Sequence, residues 1–263
     1  AFNAEVQVAE QVPQLLAGAL QTALSRHDVA HLAVPMDIKA MQADVVPIRP
    51  QGHLNWSATV AGDEAVQQAA RLLHGAARPV ILAGAGARAA QEPLLQIAHR
   101  LGAPVLTTCR SKGLVPAGEP LYMGVPGSFG TPLATGLLHE ADTILVVGCS
   151  LSQKTTGDWQ LIRPQQQLVQ VDIDPSRIGR VFPVDVGLWG EAAPTLRKLV
   201  SFLPPSAPGT GWGDLQGRKL SYIAQVDRKA TMQSRPIKPQ FVVRALQQTL
   251  PAGAIISLDA GDN

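Results

Sequence analysis

The sequence predicts an α/β protein built on a doubly wound parallel sheet with helices on both faces, and three observations predict it. The apolar runs Val80–Ala83, Val105–Thr108, Thr143–Val147, Leu168–Ile173 and Val184–Leu188 are of strand length and continuously apolar. Strands buried on both faces of a parallel sheet read this way, whereas half-exposed strands alternate. Between these runs lie segments with helical spacing of apolar residues, so strand and helix alternate along the chain. Gly84, Gly86 and Ala89 follow the first run with the G-x-G-x-x-A spacing of a tight strand-to-helix turn. Right-handed crossovers then make the order 3-2-1-4-5-6 the economical topology, a Rossmann-like sheet with its switch point between the first and fourth strands.

Taken in order, residues 1–47 hold one helix and one strand. Pro13 suits a first helical turn, and Leu15, Leu16, Ala19, Leu20, Ala23 and Leu24 follow on one stripe. His31–Pro35 reads as a strand ending in a turn; one helix and one strand make no core, so this segment must pack on something else. Residues 48–59 read as a linker, with Pro50 and Gly52 and little periodicity.

The regular unit spans 60–203. A helix over Asp63–Gly75 places Ala65, Val66, Ala69, Leu72 and Leu73 on one side. The first strand and a helix over Ala89–Leu101 follow, then the second strand. A stretch containing Gly113, Gly118, Gly124, Gly127 and Gly130 comes next, with Leu121–Gly124 as a short edge strand. Helices over Pro132–Glu140 and Ala192–Leu203 complete the pattern.

Residues 204–236 read as a second linker. Seven basic residues and one acid, Asp227, lie between Arg218 and Arg244, which fits a solvated helix face or an interdomain surface. Residues 237–263 offer a helix over Gln240–Leu250 and an apolar strand over Ala254–Leu258. The chain opens on Ala1 and stops after half a βα unit, so a piece of a longer protein is expected.

Composition narrows the function. Of 263 residues, 46% are hydrophobic and 16% charged, which supports a sizeable core. A net charge of +2, without basic residues interleaved with aromatics, argues against nucleic acid. No apolar run is long enough to cross a membrane, and no signal peptide is visible. Two cysteines, Cys109 and Cys149, fit a reducing, cytoplasmic setting. They leave the sheet two strands apart, roughly 10 Å by strand spacing, too far for a disulfide, and read as packed, inert thiols. The six histidines are scattered, Ser128, Ser150 and Ser152 have no triad partners, and no metal-type spacing occurs, so no catalytic residue and no metal ligand is assigned.

The ligand candidates cluster at the switch point, whose lips are Gly84–Ala87 and Gly148–Leu151. An NAD(P)-dependent dehydrogenase would need an acid after the second strand. Thr107-Thr-Cys-Arg110 has none, which disfavours that reading. Asp172 and Asp174 end the fifth strand and Asp185 lies in the sixth; such carboxylates suit ribose hydroxyls, and Asp174 before Pro175 also suits a turn cap.

The succession Pro79-Val-Ile-Leu-Ala-Gly-Ala-Gly86, Leu101-Gly-Ala-Pro-Val-Leu-Thr-Thr108, Lys112-Gly113, Ala141-Asp-Thr-Ile-Leu-Val-Val-Gly148, Val171-Asp-Ile-Asp-Pro-Ser-Arg-Ile-Gly179 and Val184-Asp185 resembles the central domain of thiamine-diphosphate-dependent enzymes. The branch is that of acetolactate synthase, pyruvate oxidase and benzoylformate decarboxylase. Val12-Pro13 through Asp37 resembles the end of the pyrimidine-binding domain, and Ile237-Lys-Pro-Gln240 through Gly261 the entry into the diphosphate-binding domain. The resemblance implies a parent enzyme that uses thiamine diphosphate and Mg²⁺ on a 2-oxo acid. It further implies missing N- and C-terminal domains, assembly as a homodimer or homotetramer, and a fragment inactive alone. Its catalytic glutamate and metal ligands fall outside the chain, while Gly261, Asp262 and Asn263 align near the diphosphate.

In this family the central domain binds FAD, an adenine nucleotide or nothing. The resemblance places FAD contacts on Gly84, Gly86, Thr107, Thr108, the loop after Gly148, Asp172 and Asp185. Ser150 and Ser152 stand where acetolactate synthases carry arginine and aspartate, which weighs against flavin, although Lys154 keeps a positive charge. A stand-alone FAD- or adenine-nucleotide-binding regulatory module is the alternative reading.

Overall fold

The computed structural model describes residues 1–26, 28–46, 48, 58–205, 211–230, 235–251 and 253–257. The first segment forms β1 (Phe2–Glu5), α1 (Val12–Arg26), β2 (Ala30–Ala33) and the short α2 (Met36–Lys39). β1 and β2 pair in parallel, and Val6, Ala9 and Ile38 form a small core with Val12, Leu15 and Leu32 against it. Only part of the α1 stripe turns inward: Ala19 is buried, whereas Leu16, Leu20 and Leu24 face outward. β1 is unforeseen from the sequence, because four residues with one aromatic carry too little periodicity.

The central unit comprises α3 (Asp63–His74), β3 (Pro79–Ala83), α4 (Gln91–Leu101), β4 (Val105–Thr107), β5 (Tyr122–Gly124), α5 (Pro132–Glu140), β6 (Thr143–Val147), β7 (Gln167–Asp172), β8 (Val186–Trp189) and α6 (Ala192–Phe202). All six strands are parallel, in the order β5-β4-β3-β6-β7-β8; counted along this sheet alone, that is the expected 3-2-1-4-5-6. The pleat splits the core in two. Ile81 and Ala83 of β3 join α3, α4 and α6 on one face, while Val80 and Leu82 join α5, Trp212 and Leu215 on the other. Every residue of β3 and β6 is buried, which is why these runs carry no alternation.

Three expectations shift. The helix expected from Ala89 begins later: Ala85–Ala90 is a 3-10 turn, and α4 starts at Gln91 and stops at Gly102 in left-handed conformation (φ 59°). The last strand covers Val186–Trp189 rather than Val184–Leu188, which leaves Asp185 just before it. The expected strand over Ala254–Leu258 is absent over 254–257, where Ile255 is 98% exposed and no strand among the described residues pairs with it; Leu258 lies outside the described residues. The helix expected over Gln240–Leu250 is present as Pro239–Thr249.

The segment expected as a linker over 204–236 carries a 15-residue helix, Leu215–Lys229 (α7, with Pro239–Thr249 as α8). Its pattern is too polar to announce itself, because it is held at its start. The indole N–H of Trp212 donates to Pro79 O at 2.8 Å, and Gly211 N–H to Ala77 O at 2.7 Å. Arg218 makes a bidentate pair with Glu140 at 3.0 and 2.9 Å, and Gln216 donates to Pro120 O at 2.6 Å. These grips close the amino-terminal edge of the sheet. Among the described residues no helix is long and apolar enough to cross a membrane.

Candidate functional site: a cleft at the switch point

At the carboxyl edge of the sheet, the ends of β3, β4, β6, β7 and β8 surround a cleft of about 780 Å³. That size falls within the range of small-molecule sites, roughly 300–1,000 Å³. Gly84, Gly86, Thr108, Gly148 and Asp172 line it, so five of the predicted ligand residues are brought together. Two others are not. Thr107 is fully buried inside the sheet, its hydroxyl 3.0 Å from Tyr122 Oη. Asp185 sits at the opposite, amino-terminal end, where its carboxylate accepts the Leu168 N–H at 2.8 Å and its own N–H donates to Leu168 O at 2.9 Å. A residue before a parallel strand cannot reach the edge after it, and the apolar run Val184–Leu188 hides this offset. Gly261, Asp262 and Asn263 lie outside the described residues.

The glycine turn has a definite geometric cause. A Cβ on Gly84 would lie 2.3 Å from Gly148 O, and one on Gly86 2.8 Å from Gly148 Cα. Gly148 itself takes φ 53°, and its own Cβ would meet Gly86 C at 2.5 Å. The β3 and β6 turns therefore touch backbone to backbone, and only glycine permits this. Hydrogen bonds lock the contact: Gly84 N–H donates to Val147 O at 2.8 Å, Gly86 N–H to Gly148 O at 3.0 Å, and Gly148 N–H to Val171 O at 2.8 Å.

The wall after β7 is likewise built from its own parts. Asp172 is buried, its Oδ1 accepts the Asp174 N–H at 3.0 Å, and burial pushes its carboxyl above the usual carboxylate range. Asp174 acts as the turn cap: it accepts from Ser176 N at 2.9 Å and Ser176 Oγ at 2.7 Å, bonds that hold its carboxyl below the usual range, and it pairs with Arg177 at 3.2 Å. Gln170, buried in β7, donates to Arg177 O at 3.2 Å and accepts from Gly179 N at 3.0 Å. Its amide thus bolts the loop to the sheet.

The two thiols differ. Cys149 is 3% exposed, and burial pushes its pKa up to about 11, as an inert packed thiol requires. Cys109, expected to be packed, is exposed on the cleft wall. It lies in the 3-10 turn Cys109–Ser111, and the buried anchor of that turn is Ser111, whose hydroxyl donates to Ala83 O at 2.7 Å.

The far rim consists of Arg110, Phe129 and Lys154. Phe129 is 72% exposed, with Lys154 Nζ 5.6 Å from its ring centroid. Sequence reasoning passes over Phe129, for which the one available signal is its place between Gly127 and Gly130. Behind this rim Leu151, Asp158 and Trp159 all take left-handed backbone, with Leu151 buried as the anchor of the loop. Among the described residues no group of three or more His, Cys, Asp or Glu is placed to hold a metal.

The family model of the thiamine pyrophosphate enzyme central domain matches residues 66–199. A putative thiamine pyrophosphate-containing protein, YdaP, of Bacillus subtilis is 30% identical over 265 residues, covering 99% of this chain and 44% of its own length. A probable acetolactate synthase large subunit of Methanocaldococcus jannaschii is 30% identical over 278 residues, 99% of this chain and 46% of its own. A probable 2-ketoarginine decarboxylase, AruI, of Pseudomonas aeruginosa is 32% identical over 271 residues, 98% of this chain and 45% of its own. The chain thus spans about half the length of the curated relatives it matches. With its six-stranded parallel sheet in the expected order and residues 66–199 matched, the chain belongs to the thiamine pyrophosphate enzyme central-domain family.

Proposed function

We propose that this chain is part of a thiamine-diphosphate-dependent enzyme that cleaves or forms a carbon–carbon bond beside the carbonyl of a 2-oxo acid. The observation that carries the reading is the match of nearly the whole chain to relatives named as an acetolactate synthase large subunit and a 2-ketoarginine decarboxylase. The thiamine group supplies the nucleophile and electron sink for such chemistry.

In this reading Mg²⁺ accompanies the thiamine diphosphate, the enzyme works in the cytoplasm as a homodimer or homotetramer, and flanking domains hold the cofactor. The central unit sets the distance and orientation between those domains. The purified 263-residue chain, given thiamine diphosphate, Mg²⁺ and pyruvate or benzoylformate, is expected to show no decarboxylation. The enclosing open reading frame, expressed whole, is expected to turn over a 2-oxo acid. Turnover by the chain alone, or an enclosing frame without any thiamine-dependent activity, overturns the reading.

A further inference from the structure

We infer that the switch-point cleft of this chain does not hold a nucleotide diphosphate: its glycine turn is a sealed joint between β3 and β6 rather than a phosphate cradle. The inference concerns the central unit alone and stands apart from the thiamine chemistry proposed above.

A pyrophosphate at a strand-to-helix turn needs free backbone N–H groups and the positive end of a helix aimed at it. Here the glycine donors of the turn and several of their neighbours are already used. Gly84, Gly86 and Gly148 donate to Val147 O, Gly148 O and Val171 O, while Ala87 donates to Gly84 O at 3.0 Å and Thr108 to Ala83 O at 3.0 Å. On the opposite wall Gly190 donates to Asp172 O at 3.0 Å, Glu191 to Thr59 O at 2.8 Å, and Asp174 to the Asp172 carboxyl at 3.0 Å.

The helix end is displaced as well. Six residues of 3-10 turn separate Gly84 from α4, and the first turn of α4 carries Glu92. A carboxylate there already offsets the positive end of the helix dipole, which falls off within one turn. To seat a pyrophosphate on the glycine amides, as the turn motif requires, the chain would have to break the Gly86–Gly148 bond and open a joint in which the backbones are in contact. The acid that would receive a ribose from the sixth strand, Asp185, is at the wrong end of the sheet.

Equilibrium dialysis of the intact chain against FAD and against ADP tests this. The inference expects no retention of either nucleotide and dissociation constants weaker than about 1 mM, on the order of a few kcal/mol of binding free energy. One equivalent of either nucleotide held more tightly than that overturns it. Wild-type chain suffices, so loss of folding in a variant cannot obscure the result. Because no catalytic turnover is read, failure of the thiamine assignment leaves the outcome interpretable.

Discussion

The two ends of the central sheet are closed by different means. At the carboxyl edge, backbone meets backbone: Gly84, Gly86 and Gly148 interlock, and the chain consumes its own amides. At the amino edge, a separate segment is laid across the strand starts, and side chains do the gripping through Trp212, Gln216 and Arg218. The difference separates two kinds of sequence signal. A joint of touching backbones leaves a glycine signature that reads like a nucleotide motif, whereas a side-chain strap leaves little trace because each grip stands alone in a polar stretch.

If the carboxyl edge is a joint without slack, the largest effect follows from filling it. Gly84→Ala puts a methyl 2.3 Å from a backbone oxygen that cannot move without breaking the β3–β6 register. A loss exceeding about 4 kcal/mol is expected in urea unfolding, which places it among the exceptional single substitutions. A cost below about 1 kcal/mol, ordinary for a surface change, would show that the joint opens freely.

The amino edge is expected to yield more gently. Trp212→Phe removes the N–H that satisfies Pro79 O but keeps an aromatic in the slot. A loss of about 1–3 kcal/mol is expected for the buried carbonyl left without its donor. The fluorescence transition of the remaining tryptophans is expected to stay cooperative. A substitution without cost would mean that the strap rests on the sheet without bearing on its stability.

The smallest effect belongs to Asp172, which the sequence places at the carboxyl edge and the structure buries there. Burial holds its folded pKa above the ordinary 3.8, so the folded chain binds that proton more tightly than the unfolded chain does. Ionising it therefore lowers stability; the loss begins above 3.8 and is complete once pH has passed the raised value. Asp172→Asn keeps an oxygen to accept the Asp174 N–H and removes the charge. The variant is expected to be more stable than wild type at neutral pH, with the gain vanishing in acid. Equal stability at both pH values would contradict the burial argument.

Much of this architecture is legible in the amino-acid sequence alone. Continuous apolar runs alternating with helices specify the parallel sheet, and the right-handed crossover rule supplies its order. Asp174 is readable as a cap from its place before Pro175, and the structure has it capping that turn. Other features depend on distance rather than pattern. Asp185 looks like a site acid because Val184 and the valine and leucine of β8 make one run around it, and only the pairing with Leu168 shows that it lies before the strand. The helix α7 stays hidden because its binding energy sits in Trp212 and a few polar grips instead of an apolar stripe. Cys109 and Phe129 are exposed for reasons of loop path, set by the anchors Ser111 and Leu151, which sequence spacing does not encode.

The sealed joint has one amide at its centre, that of Gly86, and its hydrogen exchange measured by NMR tests the sealing most directly. With its N–H bonded to Gly148 O, the Gly86 amide is expected to exchange as slowly as the buried amides of β3 and β6, and adding FAD or ADP is expected to leave its rate unchanged. A Gly86 amide that exchanges quickly in the free chain and becomes protected when either nucleotide is added would contradict it.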